Sequence, residues 1–389
     1  MTATGGIVRG RFRYRIKPSP SVLACGLVAL GTVLVFPALA GIDDKRSCNR
    51  PIVGAIRWDG WIGDVPGYDV GLQVERSLGP QRWHWRLPFF ARVVSPTEVR
   101  VRANMPAVMD QEIAYAQAAG LDYWAFVMYP ADNPQTRGGL DLYFRSTRRL
   151  SLRFAMIVQS YTFGDADIAR LVQYFGSGSY QTVAGGRPLL FLAGPQRVGD
   201  PAWLNVKGSL AKLRSDTKRA GLKEPFTVHL WGWNGAKDVV RWLGLDAISA
   251  YSLNFDDRAA PYAALTRKAE LKWDEWALTG VKVVPLVTTG WDRRPRVQHP
   301  VSWEPRSSAD AMDFYYETPT PGELAAHFRA ALTWCARHPA VADPPGVLIY
   351  AWNEFDEGGW LAPSLWPEQG TRRLDALADV LRGSGRSKR

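Results

Sequence analysis

The chain has 389 residues, of which 46% are hydrophobic and 22% charged, with a formal net charge of +11. These proportions indicate a globular protein with a sizeable core and exclude an intrinsically disordered chain. Tryptophan is abundant, at 17 residues, which is more aromatic surface than core packing alone requires.

The first 40 residues have the order of a secretory signal peptide. Residues 9–17 hold five basic and no acidic side chains, residues 22–36 are continuously apolar, and residues 38–40 read Ala-Leu-Ala, a small-x-small cleavage pattern. An uncleaved anchor over residues 21–40 is the alternative, because the apolar stretch approaches the roughly 20 residues that span a bilayer. We therefore expect an exported protein, periplasmic or secreted, whose folded domain covers residues 41–389.

The charge of the expected domain is modest. Without the first 40 residues the chain holds 43 basic and 37 acidic residues, a net charge of +6. No basic run interleaved with aromatic residues occurs, so nucleic acid is not an expected partner. No later segment is long and apolar enough to span a bilayer, so membrane contact is expected only through an uncleaved N-terminal segment.

Short apolar runs alternate with helical periodicity along the chain. The predicted strands are residues 52–56, 122–129, 154–158, 189–192, 226–230, 247–251, 283–287 and 347–352. The predicted helices are residues 106–119, 165–175, 201–220, 237–243, 262–278, 321–337 and 371–381. Eight strand units favour an α/β fold with a single (β/α)8 TIM barrel. An open, doubly wound sheet is the rival, but no glycine-rich phosphate turn follows the first strand.

Aromatic and amide side chains follow seven of the eight predicted strands, at the end where such barrels hold their active sites. Aromatic faces stack on the apolar faces of sugar rings, and amides and carboxylates bind sugar hydroxyls. The alternative is that these aromatic residues cap the barrel or support its loops. The predicted substrate-binding residues are Trp58, Asp59, Trp61, Tyr129, Gln159, Tyr161, Trp231, Trp233, Asn234, Tyr251, Asn254, Trp291, Asp292, Trp352, Asn353 and Trp360.

Three acidic residues, Glu354, Asp356 and Glu357, follow the eighth predicted strand. Cleavage of a glycosidic bond uses one protonated and one ionised carboxyl group, and neighbouring acids in unequal environments supply both. In an extended strand Glu354 and Glu357 would face opposite ways. A turn at Gly358-Gly359 would bring both into one pocket and leave Asp356 pointing away, toward an arginine. We therefore predict Glu354 and Glu357 as catalytic residues.

Other chemistries have weaker support in the sequence. The five histidines show no metal-ligand spacing, and a calcium site built from acids alone is the remaining metal alternative. No Gly-x-Ser-x-Gly elbow or phosphate-binding loop occurs. We expect neither a metal nor a cofactor.

Beyond residue 40 the chain holds two cysteines, Cys48 and Cys335. An oxidising compartment would permit a disulfide between them, which would close a long loop. Two free thiols, one of them buried in a helix, are the alternative.

Residues 349–358 resemble the Asn-Glu-x-x-Glu-Gly signature of glycoside hydrolase family 99, which includes endo-acting α-mannosidases and α-mannanases. Residues 53–61 and 110–126 are also similar to segments of that family. The resemblance implies that Glu354 acts as a base on the 2-hydroxyl of the sugar, giving a 1,2-anhydro sugar. It implies that Glu357 is the general acid and then the base toward water. This chain has Phe355-Asp356 where the mannose-cleaving members have Trp-His, so mannose is not implied as the sugar.

The expected function is that of an exported glycoside hydrolase that cleaves an α-linked oligo- or polysaccharide. Two alternatives remain open: a non-catalytic carbohydrate-binding barrel of the cell envelope, and a transferase that modifies polysaccharide. The sequence leaves the sugar, its linkage, internal or terminal cleavage, and the oligomeric state undetermined.

Overall fold

The computed structural model describes residues 50–60, 62, 69–129, 138–255, 257–304, 308–366 and 370–384. The predicted signal or anchor at residues 1–40, Cys48 and Trp61 lie outside these ranges, as does the predicted start of the domain at residue 41. Within the described ranges, no helix has the length and apolar character that crossing a bilayer requires.

Parallel strands form the central sheet in the order in which they occur along the chain. They are β1 (Ile52–Arg57), β2 (Tyr123–Val127), β3 (Arg153–Val158), β4 (Arg187–Leu192), β5 (Phe226–His229), β6 (Ala247–Ile248), β7 (Lys282–Val283 and Leu286–Thr288) and β8 (Gly346–Tyr350). Most of their residues are buried, which explains why they read as apolar runs without alternation. The first strand pairs with both the second and the eighth, as a closed barrel requires.

The barrel closes through β7, which is interrupted at Val284-Pro285. Its first segment pairs with β6 and its second with β8. The amide of Val284 donates to Ile248 O at 2.9 Å, and Pro285 O accepts from the amide of Leu348 at 3.0 Å, so the backbone contact continues across the break. The predicted (β/α)8 barrel is confirmed, whereas the prediction of one continuous seventh strand is wrong because proline has no amide hydrogen to donate to a ladder.

Helices connect the strands. They are α1 (Val70–Leu78), α2 (Pro106–Ala118), α3 (Gly138–Arg145), α4 (Asp165–Phe175), α5 (Val206–Arg219), α6 (Ala236–Leu243), α7 (Tyr262–Ala277), α8 (Arg294–Gln298), α9 (Pro321–Arg337) and α10 (Arg372–Ser384). Helix α9 has the predicted bounds because Thr320 and Glu323 form a capping box and Pro321 occupies the first position.

Three short helices, α1, α3 and α8, were not predicted. The predicted helix at 201–220 is instead a 3₁₀ turn and α5. Asn205 lies between them and is the residue before α5. Its φ of +58° is not helical, so one continuous helix cannot form there.

Short elements complete the described structure. The strands are Arg92–Ser95 paired with Glu98–Arg100, Thr182–Val183 against β4, and Asn353–Glu354 paired with Gly359–Trp360; the 3₁₀ turns are Gln81–Arg86, Thr147–Ser151, Ser160–Thr162, Pro201–Trp203, Ala309–Asp313 and Phe355–Glu357.

Cys335 is buried in α9, where its thiol donates to Gly346 O at a sulfur–oxygen distance of 3.7 Å. Burial raises the pKa of this thiol to about 12. Because Cys48 lies outside the described residues, the disulfide stays a prediction.

Candidate active site

The acidic segment after β8 folds into a tight turn. Asn353–Glu354 pairs with Gly359–Trp360, and the 3₁₀ turn Phe355–Glu357 joins them. Gly358 has φ +82°, and a Cβ there would lie 2.6 Å from the amide nitrogen of Asp292. No residue with a side chain fits this position without displacing the backbone after β7. The turn places Glu354 and Glu357 on the same side of the chain.

Both glutamates contact one guanidinium group, that of Arg296 on α8. Arg296 Nη1 donates to Glu357 Oε1, and Arg296 Nη2 lies 3.5 Å from Glu354 Oε2. Because one guanidinium group contacts both side chains, Glu354 Oε2 and Glu357 Oε1 are at most about 8 Å apart. All three side chains are at least 89% buried, with exposed fractions of 4% for Arg296, 4% for Glu354 and 11% for Glu357.

The remaining edges of Arg296 are also occupied. Nε and Nη2 donate to the two carboxylate oxygens of Asp356 at 2.8 and 2.9 Å, and Nη1 donates to Glu304 at 2.6 Å. The indole rings of Trp58 and Trp303 each lie 5.6 Å from the guanidinium carbon. The cation between these acids is thus an arginine, and among the described residues no cluster of acids, histidines or cysteines has the arrangement of a metal site.

A tyrosine hydroxyl binds each glutamate. Tyr251, which follows β6, donates to Glu354 Oε1 at 2.8 Å, and Tyr350, the last residue of β8, donates to Glu357 Oε2. The two phenol rings meet edge to face, with centroids 5.9 Å apart. The pair of acids is therefore oriented by a matched pair of tyrosines.

The environment favours protonation of one of the acids. Burial raises the pKa of Glu354 well above its ordinary value, and the charge of Glu357 raises it further, against the opposing effect of Arg296. Burial also raises the pKa of Glu357 above its ordinary value, although Arg296 opposes the shift. Two neighbouring buried carboxyl groups with raised pKa values are the kind of pair that general acid–base chemistry uses.

A second buried network lies beneath the turn. Arg57 pairs with Asp59 and Glu112 at 2.9 Å each, and the indole nitrogen of Trp352 donates to Glu112 at 2.9 Å. The side chain of Asn353 accepts from the amide of Trp58 at 2.9 Å and donates to its carbonyl at 2.7 Å. These bonds fix the end of β1 against the end of β8.

Five predicted substrate-binding residues are buried and hold this frame rather than face a ligand. Trp352 has no exposed surface, because its ring packs against Trp124 at 4.9 Å inside the barrel. The other four are Asp59, Asp292, Asn353 and Trp360, each at most 4% exposed.

Asp292 joins the ends of β7 and β8. Its carboxylate pairs with Arg86 and, at 2.8 Å, with Arg294, and its amide donates to Glu357 O at 2.6 Å. These guanidinium groups hold the pKa of Asp292 below its ordinary value although burial opposes them. The carboxylate is thus a fixed anchor for the turn that carries Glu357.

Half-exposed aromatic side chains border the glutamates. Trp291 lies 5.8 Å from the Tyr350 ring, Trp58 lies beside Arg296, and the Tyr251 hydroxyl binds Glu354. Tyr129 is half-buried next to Gly60. One cavity is lined by Asp59, Tyr129 and residues of β2, β3, α3 and α4, and neither glutamate lines it.

The structure does not connect the other predicted binding residues to the glutamates within the described ranges. The Gln159 amide donates to Met128 O, Tyr161 is 56% exposed, and Trp233 packs against Phe255. Trp231 is half-buried, and the side chains of Asn234 and Asn254 are exposed. Trp61 lies outside the described residues.

Sequence reasoning missed Arg296, Tyr350, Glu304 and Trp303. A signal for Arg296 exists, because residues 293–296 hold three arginines directly after the seventh strand, beside the acids after the eighth. Tyr350 lies inside an apolar strand and Glu304 in a connecting segment, so neither has a comparable signal.

Comparisons with known proteins support the fold. No family model and no curated protein matches the chain. Two solved structures of the GH99 endo-alpha-mannosidase from Bacteroides thetaiotaomicron, one in complex with bis-tris-propane, superpose with a TM-score of 0.51 and 12% identity, covering 86% of this chain and 97% of that one. A GH5 family lichenase from Caldicellulosiruptor sp. F32 aligns over 84% of this chain and 92% of its own at 12% identity, with a TM-score of 0.39. The first similarity shows a shared barrel fold.

Proposed function

We propose that the protein is an exported glycoside hydrolase that cleaves an α-linked oligo- or polysaccharide, with Glu354 and Glu357 as its reacting acids. The observation that carries this proposal is the convergence of both carboxyl groups on Arg296, in one site at the carboxyl end of the barrel. Acid–base cleavage of a glycosidic bond needs two such groups within reach of the same linkage.

Glu354 retains hydrogen-bonding capacity for a ligand. Its Oε2 is buried and has no hydrogen-bond partner among the described residues, since the 3.5 Å contact with Arg296 is longer than a strong hydrogen bond. A buried oxygen without a partner is costly, and a sugar hydroxyl or glycosidic oxygen would satisfy it. The half-exposed rings of Trp58, Tyr251 and Trp291 would provide stacking surfaces for sugar rings beside it.

Three parts of the proposal rest on the sequence. The α-linkage and participation of the 2-hydroxyl come from the resemblance to glycoside hydrolase family 99, and the shared barrel fold is consistent with them. Export comes from residues 1–40, with the N-terminal segment either cleaved or retained as an anchor.

One observation favours the second candidate, a non-catalytic carbohydrate-binding barrel of the cell envelope. Arg296 holds both glutamates in a buried ion-pair network, and a network of this kind can be purely structural. In that case Trp58 and Trp291 would bind glycan without bond cleavage.

The experiment measures glycan binding and new reducing ends in the same samples. The wild type, Glu357→Gln and the control Glu317→Gln, whose side chain is exposed, are incubated with α-linked polysaccharides such as α-mannan and α-glucan. The proposal predicts reducing ends with the wild type and the control and their loss with Glu357→Gln.

Each alternative gives a different result. Wild-type rates in Glu357→Gln would refute the hydrolase assignment. Glycan retention without reducing ends, unchanged by Glu354→Gln, would establish the binding barrel, and products longer than the donor would indicate a transferase.

A further inference from the structure

Arg373, in the first turn of α10, is buried without an acidic partner among the described residues. Its side chain is 4% exposed, and Nη2 donates to Thr289 O just after β7. Its other two nitrogens, Nε and Nη1, are buried and have no hydrogen-bond partner within the described ranges. Burial lowers the pKa of Arg373 to about 9, so the group is still a cation at neutral pH. A buried cation without a counter-charge is costly.

The indole ring of Trp360 adds a third buried donor at the same place. Its centroid lies 4.1 Å from the guanidinium carbon of Arg373. Trp360 is 1% exposed, and its Nε1 also has no hydrogen-bond partner in the part of the chain that the structure describes. The ring face attracts the cation, but it satisfies none of the three N–H groups. Since guanidinium and indole nitrogens only donate, the missing partner must be an acceptor.

The surrounding charge is also positive. Arg86 lies near enough to Arg373 that its charge contributes to lowering the pKa of Arg373. Arg86 and Arg294 both pair with one carboxylate, that of Asp292, and Arg86 Nε is a further buried nitrogen without a partner among the described residues. The amino-terminal end of α10 adds the positive end of a helix dipole. Cations and donors are therefore in excess here.

We infer that Arg373 and Trp360 form a binding site for a small monovalent anion of the chloride type. Such an ion accepts several hydrogen bonds and neutralises the guanidinium charge at the same time. A water molecule would accept hydrogen bonds but leave the charge uncompensated. One unpaired cation calls for one negative charge, whereas a larger, multiply charged anion would cost more to desolvate. This inference goes beyond the proposed function and does not depend on it.

The site lies behind the turn that carries the glutamates. Trp360 pairs with Asn353 in the short antiparallel ladder that also contains Glu354. Thr289, which accepts from Arg373, donates its amide to Tyr350 O at 2.8 Å. A bound anion would therefore hold α10 against the ends of β7 and β8. Because the ion would bind the folded chain alone, it should stabilise that state.

The test measures thermal unfolding of the full chain as sodium gluconate is replaced by sodium chloride at constant ionic strength. The unfolding midpoint should rise with chloride concentration. At 100 times the dissociation constant, the folding equilibrium constant should gain roughly 100-fold. The line width of ³⁵Cl NMR, which broadens when chloride binds a protein, reports binding directly in the same buffers.

Arg373→Met removes the cation and its donors, and should abolish both the chloride-dependent midpoint and the line broadening. An apolar side chain in place of an unpaired buried charge should still allow folding. Arg382→Met is the matched control, because this arginine lies on the same helix in an exposed pair and should leave the chloride response unchanged. Trp360→Phe keeps a ring but loses the indole N–H, and should weaken chloride binding.

Three results would overturn the inference. The first is a wild-type midpoint and line width that do not respond to chloride, as expected if water or a carboxylate from outside the described ranges meets Arg373. The second is an equal response in Arg373→Met and the wild type. The third, which applies even if Arg373→Met does not fold, is unchanged chloride affinity in Trp360→Phe. No glycan enters these measurements, so failure of the proposed function would appear separately, as absent reducing ends.

Discussion

Asp356 and Arg296 meet edge to edge: Arg296 Nε and Nη2 donate to the two carboxylate oxygens at 2.8 and 2.9 Å, and Ser77 donates to one of them at 3.2 Å. Asp356 therefore faces an arginine, as the acidic pattern predicts. Its place in the site is to orient the guanidinium group that both glutamates contact.

Removing Arg296 should destabilise the fold. Arg296→Met would leave buried carboxylates without their cation, and breaking a buried pair from one side typically costs about 3–5 kcal/mol. The free energy of unfolding from denaturant titration measures the loss. The control is Arg382→Met, which breaks an exposed pair with Asp379 and should cost less than about 1 kcal/mol. Equal losses in the two variants would contradict the structure.

A side chain at Gly358 should disrupt the active turn. Gly358→Ala places a Cβ 2.6 Å from the Asp292 amide nitrogen at φ +82°, so the turn must shift away from β7. We expect a loss of about 2 kcal/mol or more in unfolding free energy, measured by denaturant titration. Gly383→Ala in α10 is the matched control, since a Cβ there meets no atom within 4 Å and alanine favours the helix. An unfolding free energy that Gly358→Ala leaves unchanged would show that the turn has a different conformation.

Trp291 and Trp352 are both predicted to bind substrate, but we expect their substitutions to have different effects. Trp291→Ala removes a half-exposed ring and should weaken glycan binding with little effect on unfolding. Trp352→Phe removes the donor to buried Glu112 and should cost about 1–3 kcal/mol of stability. Glycan affinity and thermal unfolding of both variants test this, and interchanged effects would place the binding surface elsewhere.

His229 should make the protein sensitive to acid. Burial lowers the pKa of this histidine to about 4, from about 6.5 in the unfolded chain. The neutral form is therefore favoured on folding, and the stability it contributes is present above pH 6.5 and is lost as the pH falls toward 4. The difference amounts to at most about 3 kcal/mol.

His229→Gln should flatten the fall in unfolding free energy between pH 6.5 and 4 relative to the wild type. Equal slopes for the wild type and His229→Gln would refute the assignment.

The fold could be predicted because its signal is local. Strands such as β3 and β8 are apolar runs buried on both faces, and helices such as α9 begin at a capping box. The break in β7 was missed because Val284-Pro285 lies within an otherwise apolar run. Helix α8 has five residues and no periodicity to detect.

The two catalytic candidates, Glu354 and Glu357, could be predicted from the sequence, but the side chains that contact the acids of the site could not. Glu354 and Glu357 share one short motif, whereas Arg86 and Asp292 are 206 positions apart and meet only through the barrel. The buried Trp352 and the half-exposed Trp291 both follow strands, and sequence alone does not show which ring turns inward. In the structure, packing against Trp124 places the Trp352 ring inside the barrel.

The most direct test of the central claim compares glycan cleavage by the wild type, Glu354→Gln, Glu357→Gln and the double variant on the same polysaccharide. Two groups acting on one bond lose their effect together, so each single variant should lower kcat/KM by roughly 10²–10⁴-fold and the double variant scarcely further. Wild-type rates in either single variant, or losses that simply multiply in the double variant, would show that the two glutamates do not act as a pair.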